Sequence, residues 1–222
     1  IPGSKPYQPA NDGDRVYGTV ALRDGLVHSI NTAAVRLLHE RVGFDKLFDV
    51  ARRLGLDTSS FARQWGLALG QSGVPLVEMA TAYSVFANGG YHVSPYAFLA
   101  ITTEGGKTVW SRPRSRIRRV FARQDVANLN AMLVDVVSKG TGHRARRKVD
   151  ARTPVAGKTG TGDGFVDAWF LGFTPRIVIG VWIGNDRPIT MPGVYGGTAP
   201  ARTFNLVLRD LIEHTEVLGP AP

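Results

Sequence analysis

The sequence predicts an α+β fold in which helices come first, an antiparallel sheet follows in the C-terminal third, and a last helix packs on that sheet. Three observations support this class. Apolar residues recur at helical spacing in several runs between residues 21 and 138. Three strand-like runs then follow, joined by connections of only a few residues, which favours antiparallel neighbours. The segment Pro200–Glu213 is again helical in pattern, and hydrophobic residues make up 43% of the chain, which is enough for a core.

The first 90 residues are predicted to form an extended segment followed by helices. Residues 1–20 are rich in Pro, Gly, Asn and Asp, which predicts an extended, turn-containing lead-in. A helical pattern begins at residue 21 and is interrupted at Ser29-Ile30-Asn31. Further helices are predicted at Phe44–Leu54 and Leu76–Ala87, because each has apolar residues on one face and a glycine shortly after its end.

The middle of the chain predicts a hairpin and one more helix. Two short strands are expected at Tyr96–Thr102 and Thr108–Trp110, because the glycine pair between them is typical of a tight turn. The run Gln124–Ser138 has apolar residues at helical spacing and is followed by Gly140, so it is predicted to be a helix that ends there.

The sheet itself is predicted from three runs with the alternation and composition of strands. These are Val155–Thr161, Val166–Phe173 and Ile177–Ile183. Connections of four and three residues separate them, so the strands should lie side by side in sequence order. The helix Pro200–Glu213 follows, and residues 216–222 are expected to form a flexible tail.

Charge raises the question of nucleic-acid binding, since the net charge is +9 and the isoelectric point about 10.2. Much of the excess lies in two clusters, Ser111–Arg119 and Arg144–Lys148. Neither is interleaved with aromatic residues, and no nucleic-acid-binding motif surrounds them, so no nucleic-acid partner is predicted. The clusters are interpreted as solvated surface. The alternative is attraction to anionic wall polymers or to a membrane surface.

The sequence lacks the cysteine that thiol chemistry needs, the histidine spacing that metal sites need and the apolar run that a membrane-spanning helix needs. It contains no Cys, which excludes disulfides and thiol chemistry, and its five His show no metal-ligand spacing, so no metal and no cofactor are predicted. No run approaches the roughly 18 apolar residues of a membrane-spanning helix. Because the chain opens on Ile1, we expect it to be a segment of a longer precursor, attached to a membrane only through an anchor outside this sequence.

The run Ala156-Gly-Lys-Thr-Gly-Thr161 is the most informative stretch for chemistry. It places Lys158 at the start of a strand, beside small residues that let a ligand backbone come close. The flanking hydroxyls can donate to a carboxylate. A phosphate-binding loop would need glycine at position 152, where Arg152 stands, so that interpretation is rejected.

The break at Ser29-Ile30-Asn31 is the second candidate. A Ser and an Asn two residues apart in a break can point the same way, and together they offer a proton relay and an amide donor and acceptor. The ordinary alternative is that Ser29 or Asn31 caps the helix that follows. The two interpretations are compatible with each other.

Taken together, these two motifs resemble those of the penicillin-recognising serine acyl transferases. The resemblance is most specific to the transpeptidase domain of class A, bifunctional penicillin-binding proteins, and it covers nearly the whole chain. The further matching stretches are Asn11–Gly13, Tyr17-Gly18, Val20–Arg23, Leu76–Ala80, Ala82-Tyr83, Phe86–Gly90, Gly140–Gly142, Asp167–Phe170 and Gly180–Asp186. The resemblance implies the penicillin-binding and serine β-lactamase-like fold, in incomplete form.

The family's site roles carry over motif by motif. Ser29 resembles the serine that relays a proton to the leaving amine, and Asn31 the residue that hydrogen-bonds the backbone amide of the donor peptide. Lys158 resembles the lysine that supplies positive potential and supports the relay. Thr159 and Thr161, beside Gly160, resemble the groups that hold the terminal carboxylate of a D-Ala-D-Ala stem or a β-lactam. The Thr161 N–H would form half of the oxyanion hole.

The family's nucleophile, the serine of a Ser-x-x-Lys motif, is absent from this sequence. No Ser is followed by Lys three positions later, and in Ser4-Lys5-Pro6 the lysine is adjacent. We expect the chain, residues 1–222, to be the C-terminal portion of a transpeptidase domain, with the nucleophile in an N-terminal segment of the same protein. A degenerate protein that never carried the motif is the alternative.

The resemblance implies a peptidoglycan D,D-transpeptidase, a penicillin target in cell-wall synthesis and cell shape, which acts in the periplasm or on the extracytoplasmic face of the inner membrane. Its implied partners are peptidoglycan stem peptides, β-lactams and the missing N-terminal segment. This chain alone is expected to be inactive. Two alternatives stay open: a D,D-carboxypeptidase or serine β-lactamase-like hydrolase, and a non-catalytic module that binds peptidoglycan or partner proteins.

Overall fold

A computed structural model describes residues 7–113 and 117–214 of the chain. Six α-helices are present in this part. They are α1 Leu22–Val27, α2 Asn31–Leu37, α3 Gly43–Arg53, α4 Leu76–Ala87, α5 Arg123–Ser138 and α6 Ala199–Glu213. A π-helical stretch, Leu38–Val42, joins α2 to α3. Three-residue to five-residue 3₁₀ turns lie at Asp12–Asp14, Trp65–Leu69, His143–Arg146 and Asp163–Phe165.

In the described residues, seven strands form three separate antiparallel sheets. The strands are β1 Tyr91–His92, β2 Ala100–Thr102, β3 Thr108–Ser111, β4 Arg118–Arg119, β5 Ala156–Thr161, β6 Asp167–Phe173 and β7 Val178–Gly184. The main sheet has the order β5-β6-β7, with Lys158 opposite Leu171 and Gly160 opposite Trp169. β5 and β7 are therefore its two edges, and no other strand in the described part of the chain pairs with the outer side of β7.

Helices cover both faces of this sheet. On one face, Phe204 of α6 packs against Phe170 of β6, with ring centroids 4.8 Å apart. On the other face, Tyr83 of α4 lies 6.3 Å from Phe173 of the same strand. Alternate residues of a strand point to opposite faces, so β6 contributes to both cores. The predicted α+β class, with helices on an antiparallel sheet, is confirmed.

The structure corrects or extends the expected elements at a few places. The predicted strand Tyr96–Thr102 is wrong in its first half: only Ala100–Thr102 is strand, and Tyr96 instead lies under the Arg112 guanidinium at 3.9 Å. The hairpin of β2 and β3 is confirmed. The pairing of β1 with β4 was not predicted.

Some expectations fall outside the described residues. These are the first six residues of the lead-in, with Ser4 and Lys5, positions 114–116 of the first basic cluster, and the tail at 216–222. Within the described ranges, no helix has the length and apolar character needed to cross a bilayer.

Candidate active site

Ser29 is the second residue after α1, in a helix-ending motif that fixes its position. The Ile30 N–H donates to the Gly25 carbonyl at 2.8 Å, and the Ser29 N–H donates to the Leu26 carbonyl at 3.2 Å. This is the Schellman pattern, in which the residue after the C-cap takes a left-handed conformation. Ser29 has a φ of +54°, where glycine is the usual residue. A serine held in a strained position of this kind is a feature of functional sites.

The alternative that Ser29 or Asn31 caps α2 is wrong. Neither makes a side-chain cap, and the N-cap position is Ile30. The cap comes instead from the lead-in: the Asn11 Oδ1 accepts from the Thr32 N–H at 3.1 Å and from the Thr32 hydroxyl at 3.2 Å. An exposed amide 21 residues away therefore satisfies one of the open N–H groups at the start of α2.

Lys158 on the edge strand β5 reaches Ser29 directly. Its Nζ donates to the Ser29 Oγ at 2.7 Å and to the Thr159 carbonyl at 2.9 Å. The side chain is only partly exposed, and burial lowers the pKa of Lys158 from 10.5 to about 8. Near pH 8 the ammonium can therefore release a proton at little cost, which suits a group that takes part in proton transfer.

The direction of this hydrogen bond settles where the Ser29 proton can go. While Lys158 is protonated, its ammonium group has donors only, so the Ser29 oxygen is the acceptor. The hydroxyl proton of Ser29 then points away from Lys158 and can be donated to another group. The pair can consequently pass a proton from Lys158 through Ser29, which is the arrangement that a relay needs.

Asn31 lies at the first turn of α2 and is oriented by the lead-in. Its Nδ2 donates to the Ala10 carbonyl at 2.8 Å. Its Oδ1 has no hydrogen-bond partner among the described residues, and this oxygen is the atom able to accept from a ligand N–H. The structure thus brings Ser29 and Lys158 into contact, while Asn31, two residues along, is held by residue 10 instead of by either of them.

Thr159, Gly160 and Thr161 continue β5 beyond the lysine. The Thr159 hydroxyl lies 2.7 Å from the hydroxyl of Thr141. The Thr161 hydroxyl accepts from the Gly196 N–H at 3.2 Å. A Cβ on Gly160 would come within 3.2 Å of the Trp169 Cβ on β6, so the neighbouring strand also favours glycine there.

A contact between the helical part and the β5–β6 connection was not predicted from the sequence. The Gln71 Nε2 donates to the Asp163 Oδ2 at 2.9 Å. The Gln71 side chain lies against Gly66, where any Cβ would come within 1.6 Å of the amide oxygen. Gln71 belongs to no recognisable motif, so only the fold reveals this link.

Ser29→Gly is expected to be more stable than Ser29→Ala by about 1 kcal/mol, because both lose the hydroxyl and only glycine relieves the left-handed conformation. For a chain of this size, that corresponds to about 2–4 °C in the thermal midpoint. Ser84, inside α4, provides the matched control pair, and there alanine should be the more stable residue. A more stable Ser29→Ala would contradict the strained position of Ser29.

Comparisons with known proteins identify the family of this chain. The family described as penicillin binding protein transpeptidase domain matches residues 1–209. Penicillin-binding protein 1A of Aquifex aeolicus is 41% identical over 192 residues, which cover 82% of this chain and 26% of that protein. The chain therefore spans about a quarter of the length of this curated relative.

Solved structures give the same family. The crystal structure of penicillin-binding protein 1A from Haemophilus influenzae superposes with a TM-score of 0.86 at 25% identity, over 95% of this chain and 37% of that one. An imipenem acyl-enzyme complex of penicillin-binding protein A from M. tuberculosis gives a TM-score of 0.76 at 25% identity, over 96% of this chain and 53% of that one. With a family match over nearly its whole length and a relative 41% identical, this chain belongs to the penicillin-binding protein transpeptidase domain family.

Proposed function

We propose that this chain forms the Ser29 and Lys158 side of the active centre of a serine D,D-transpeptidase, which cross-links peptidoglycan stem peptides and is acylated by β-lactams. The observation that carries the proposal is the 2.7 Å hydrogen bond from the Lys158 Nζ to the Ser29 Oγ, made by a lysine whose pKa burial lowers to about 8. The family membership and the related acyl-enzyme complex support it.

The pair would handle the protons of acyl transfer. When a serine nucleophile attacks the carbonyl of D-Ala-D-Ala, its hydroxyl proton passes to the lysine of its own Ser-x-x-Lys motif. The bond to the terminal D-Ala then breaks and its nitrogen needs a proton. Ser29 gives its proton to that nitrogen and takes one from the Lys158 ammonium. The amine of a neighbouring stem then attacks the acyl-serine, its proton returns to Lys158 through Ser29, and the released serine oxygen takes its proton back from the motif lysine. The step between Lys158 and Ser29 runs along a hydrogen bond that is already formed, which suits general acid–base catalysis.

The remaining groups would hold the ligand. The Oδ1 of Asn31 would accept from a backbone N–H of the donor peptide, because its Nδ2 is already engaged by Ala10. The Thr159 and Thr161 hydroxyls would donate to the terminal carboxylate, and the Thr161 N–H would contribute to the oxyanion hole. The proposal assigns no metal and no cofactor to this centre.

The nucleophile would come from elsewhere in the same protein. No Ser-x-x-Lys is present in the 222 residues. We propose that such a segment, N-terminal to this chain, completes the domain, and that a membrane anchor outside this chain holds the protein at the extracytoplasmic face of the inner membrane. Peptidoglycan and β-lactams would be its ligands there.

The test is a mass measurement after incubation with a penicillin. This chain alone should gain no stable acyl group, whereas the complete protein with its Ser-x-x-Lys segment should gain one, at that serine. An adduct mapped to any Ser of this chain would contradict the assignment of the nucleophile. A complete protein that gains no adduct would contradict the transpeptidase proposal itself and would favour a binding module.

A further inference from the structure

Thr141 is the residue through which the two sides of the site are joined. It lies in the turn Gly140–Gly142 that follows α5. Its N–H donates to the carbonyl of Val27, two residues before Ser29, at 3.3 Å. Its hydroxyl lies 2.7 Å from that of Thr159, which follows Lys158 on β5. Thr141 therefore contacts both segments of the proton relay. Its backbone N–H contacts the segment just before Ser29, and its side chain contacts the strand that carries Lys158.

The surroundings leave this turn little freedom to move. A Cβ on Gly140 would lie 2.4 Å from the Val27 carbonyl oxygen, and one on Gly142 would lie 3.1 Å from the Phe170 ring. A Cβ on Gly197 would lie 2.6 Å from the carbonyl oxygen of Thr141 itself. Backbone packs directly against backbone around Thr141, so the position of its hydroxyl is set by the fold.

The hydroxyl contact has two possible directions, and they differ in consequence. Each hydroxyl has one proton, so only one of Thr141 and Thr159 donates in their shared bond. If Thr159 donates, its proton is bonded to the Thr141 oxygen and cannot be donated to a ligand. If Thr141 donates, Thr159 keeps its proton for the cleft. An anionic carboxylate bound at Thr159 selects the second direction, because a chain of donors ending on a charge strengthens each of its bonds.

We propose that Thr141 is a positioning residue: its hydroxyl donates to Thr159 and so directs the Thr159 proton to the carboxylate of the bound ligand. This inference rests on the transpeptidase proposal, since that proposal places a ligand carboxylate at Thr159. Thr141 touches no ligand itself. Its contribution therefore belongs to carboxylate recognition and not to acyl transfer as such.

The experiment compares benzylpenicillin with its methyl ester, which lacks the charged carboxylate, on the complete protein. Acylation rates are measured for wild type, Thr141→Val and Thr141→Ser. Thr141→Val should slow acylation by benzylpenicillin about 5-fold, the effect of losing one hydrogen bond between neutral groups, here the bond that orients the Thr159 hydroxyl. The rate with the ester should stay within about two-fold, because no carboxylate is there to recognise. Thr141→Ser, which keeps the hydroxyl, should restore most of the selectivity.

The controls separate this idea from the function on which it rests. A wild-type protein that neither penicillin acylates would overturn the proposed function, whatever Thr141 does. If wild type is acylated and Thr141→Val keeps the same ratio of penicillin to ester rates, the positioning role is wrong. Thr108→Val, on the exposed strand β3, should leave both rates unchanged.

A second measurement tests the positioning role of Thr141 even if Thr141→Val folds poorly. On a Thr159→Val background, Thr141→Ala should cause no further loss of penicillin selectivity, because the hydroxyl that it orients is already gone. A further loss of the same size as in wild type would show that Thr141 acts independently of Thr159, and would also overturn the inference.

Discussion

Lys158→Met is expected to slow acylation of the complete protein by penicillin about 10²- to 10³-fold, the loss usually seen when one preorganised stabiliser of a developing charge is removed. The structure gives the reason. The Lys158 Nζ lies 2.7 Å from the Ser29 Oγ, so its removal takes away both a positive charge and the donor that turns the Ser29 proton outward. Methionine keeps the length of the apolar stem, which should preserve the packing beside β5.

Stability should change little in the same variant. Burial lowers the pKa of Lys158, which means that the fold disfavours the ammonium charge. Its replacement by an uncharged side chain of similar length should therefore change the free energy of unfolding by less than about 1 kcal/mol, or about 2–4 °C in the midpoint. Lys46→Met, on the exposed side of α3, is the matched control and should leave the rate unchanged. Near-normal acylation by Lys158→Met would reject its catalytic role, and a large loss of midpoint would indicate a structural one.

Gly196→Ala is expected to destabilise the chain by about 2–3 kcal/mol, as overpacking against atoms that cannot give way does. The added Cβ would lie 2.4 Å from the Trp169 carbonyl oxygen, and 2.5 Å and 2.7 Å from the Gly160 oxygen and nitrogen. All three are backbone atoms of the main sheet, so residue 196 must move away from the strand. The Gly196 N–H would then lose the Thr161 hydroxyl, and the Gly196 carbonyl would lose the Ala201 N–H in the first turn of α6.

The measurement is thermal or denaturant unfolding of the chain, in which a loss of this size lowers the midpoint by about 4–12 °C. Gly73→Ala is the control, because Gly73 has no left-handed φ and a Cβ there meets nothing within 4 Å. In the complete protein, Gly196→Ala should also reduce acylation, because the displaced segment lies against the Lys158–Thr161 strand. An unchanged midpoint would mean that the close approach between Gly196 and β5 is not real.

Most of the fold could be predicted because its elements repeat a local pattern. Helix α4 was expected at Leu76–Ala87 and is observed there, and α5 differs from its expected range by one residue. The central strand was expected at Val166–Phe173 and begins one residue later. Burial selects apolar residues at regular spacing in each of these elements, so the sequence alone reveals them.

The pairing of β1 with β4 could not be predicted for the opposite reason. Each strand has only two residues, and 25 residues separate His92 from Arg118. Two residues cannot show an alternation, and a contact over that distance leaves no local pattern. The strand expected to begin at Tyr96 fails similarly: Tyr96 instead contacts the side chain of Arg112, 16 residues further along the chain.

In the candidate site, too, the residues within motifs could be predicted and the tertiary contacts that support them could not. Ser29 and Lys158 stand out in the sequence because their neighbours form recognisable motifs, and the fold brings them within hydrogen-bond distance. The contacts that support them could not be predicted, although Thr141 itself lies in the family-like stretch Gly140–Gly142. Thr141 reaches Thr159, and Gln71 reaches Asp163, across gaps of 18 and 92 residues. Such supporting contacts depend on how whole elements pack, which the order of residues does not reveal locally.

The outer side of β7 has a consequence for how this chain behaves in solution. Val178–Gly184 is a seven-residue, mostly apolar strand without charged residues, and Trp182 on it is 43% exposed. Its outer N–H and C=O groups have no strand partner in the described part of the chain. An open edge of this kind is a template for adding another strand. Self-association of the purified chain should therefore rise with concentration, and Trp182→Lys, at the exposed position of this strand, should keep the chain monomeric by placing a charge beside the open edge.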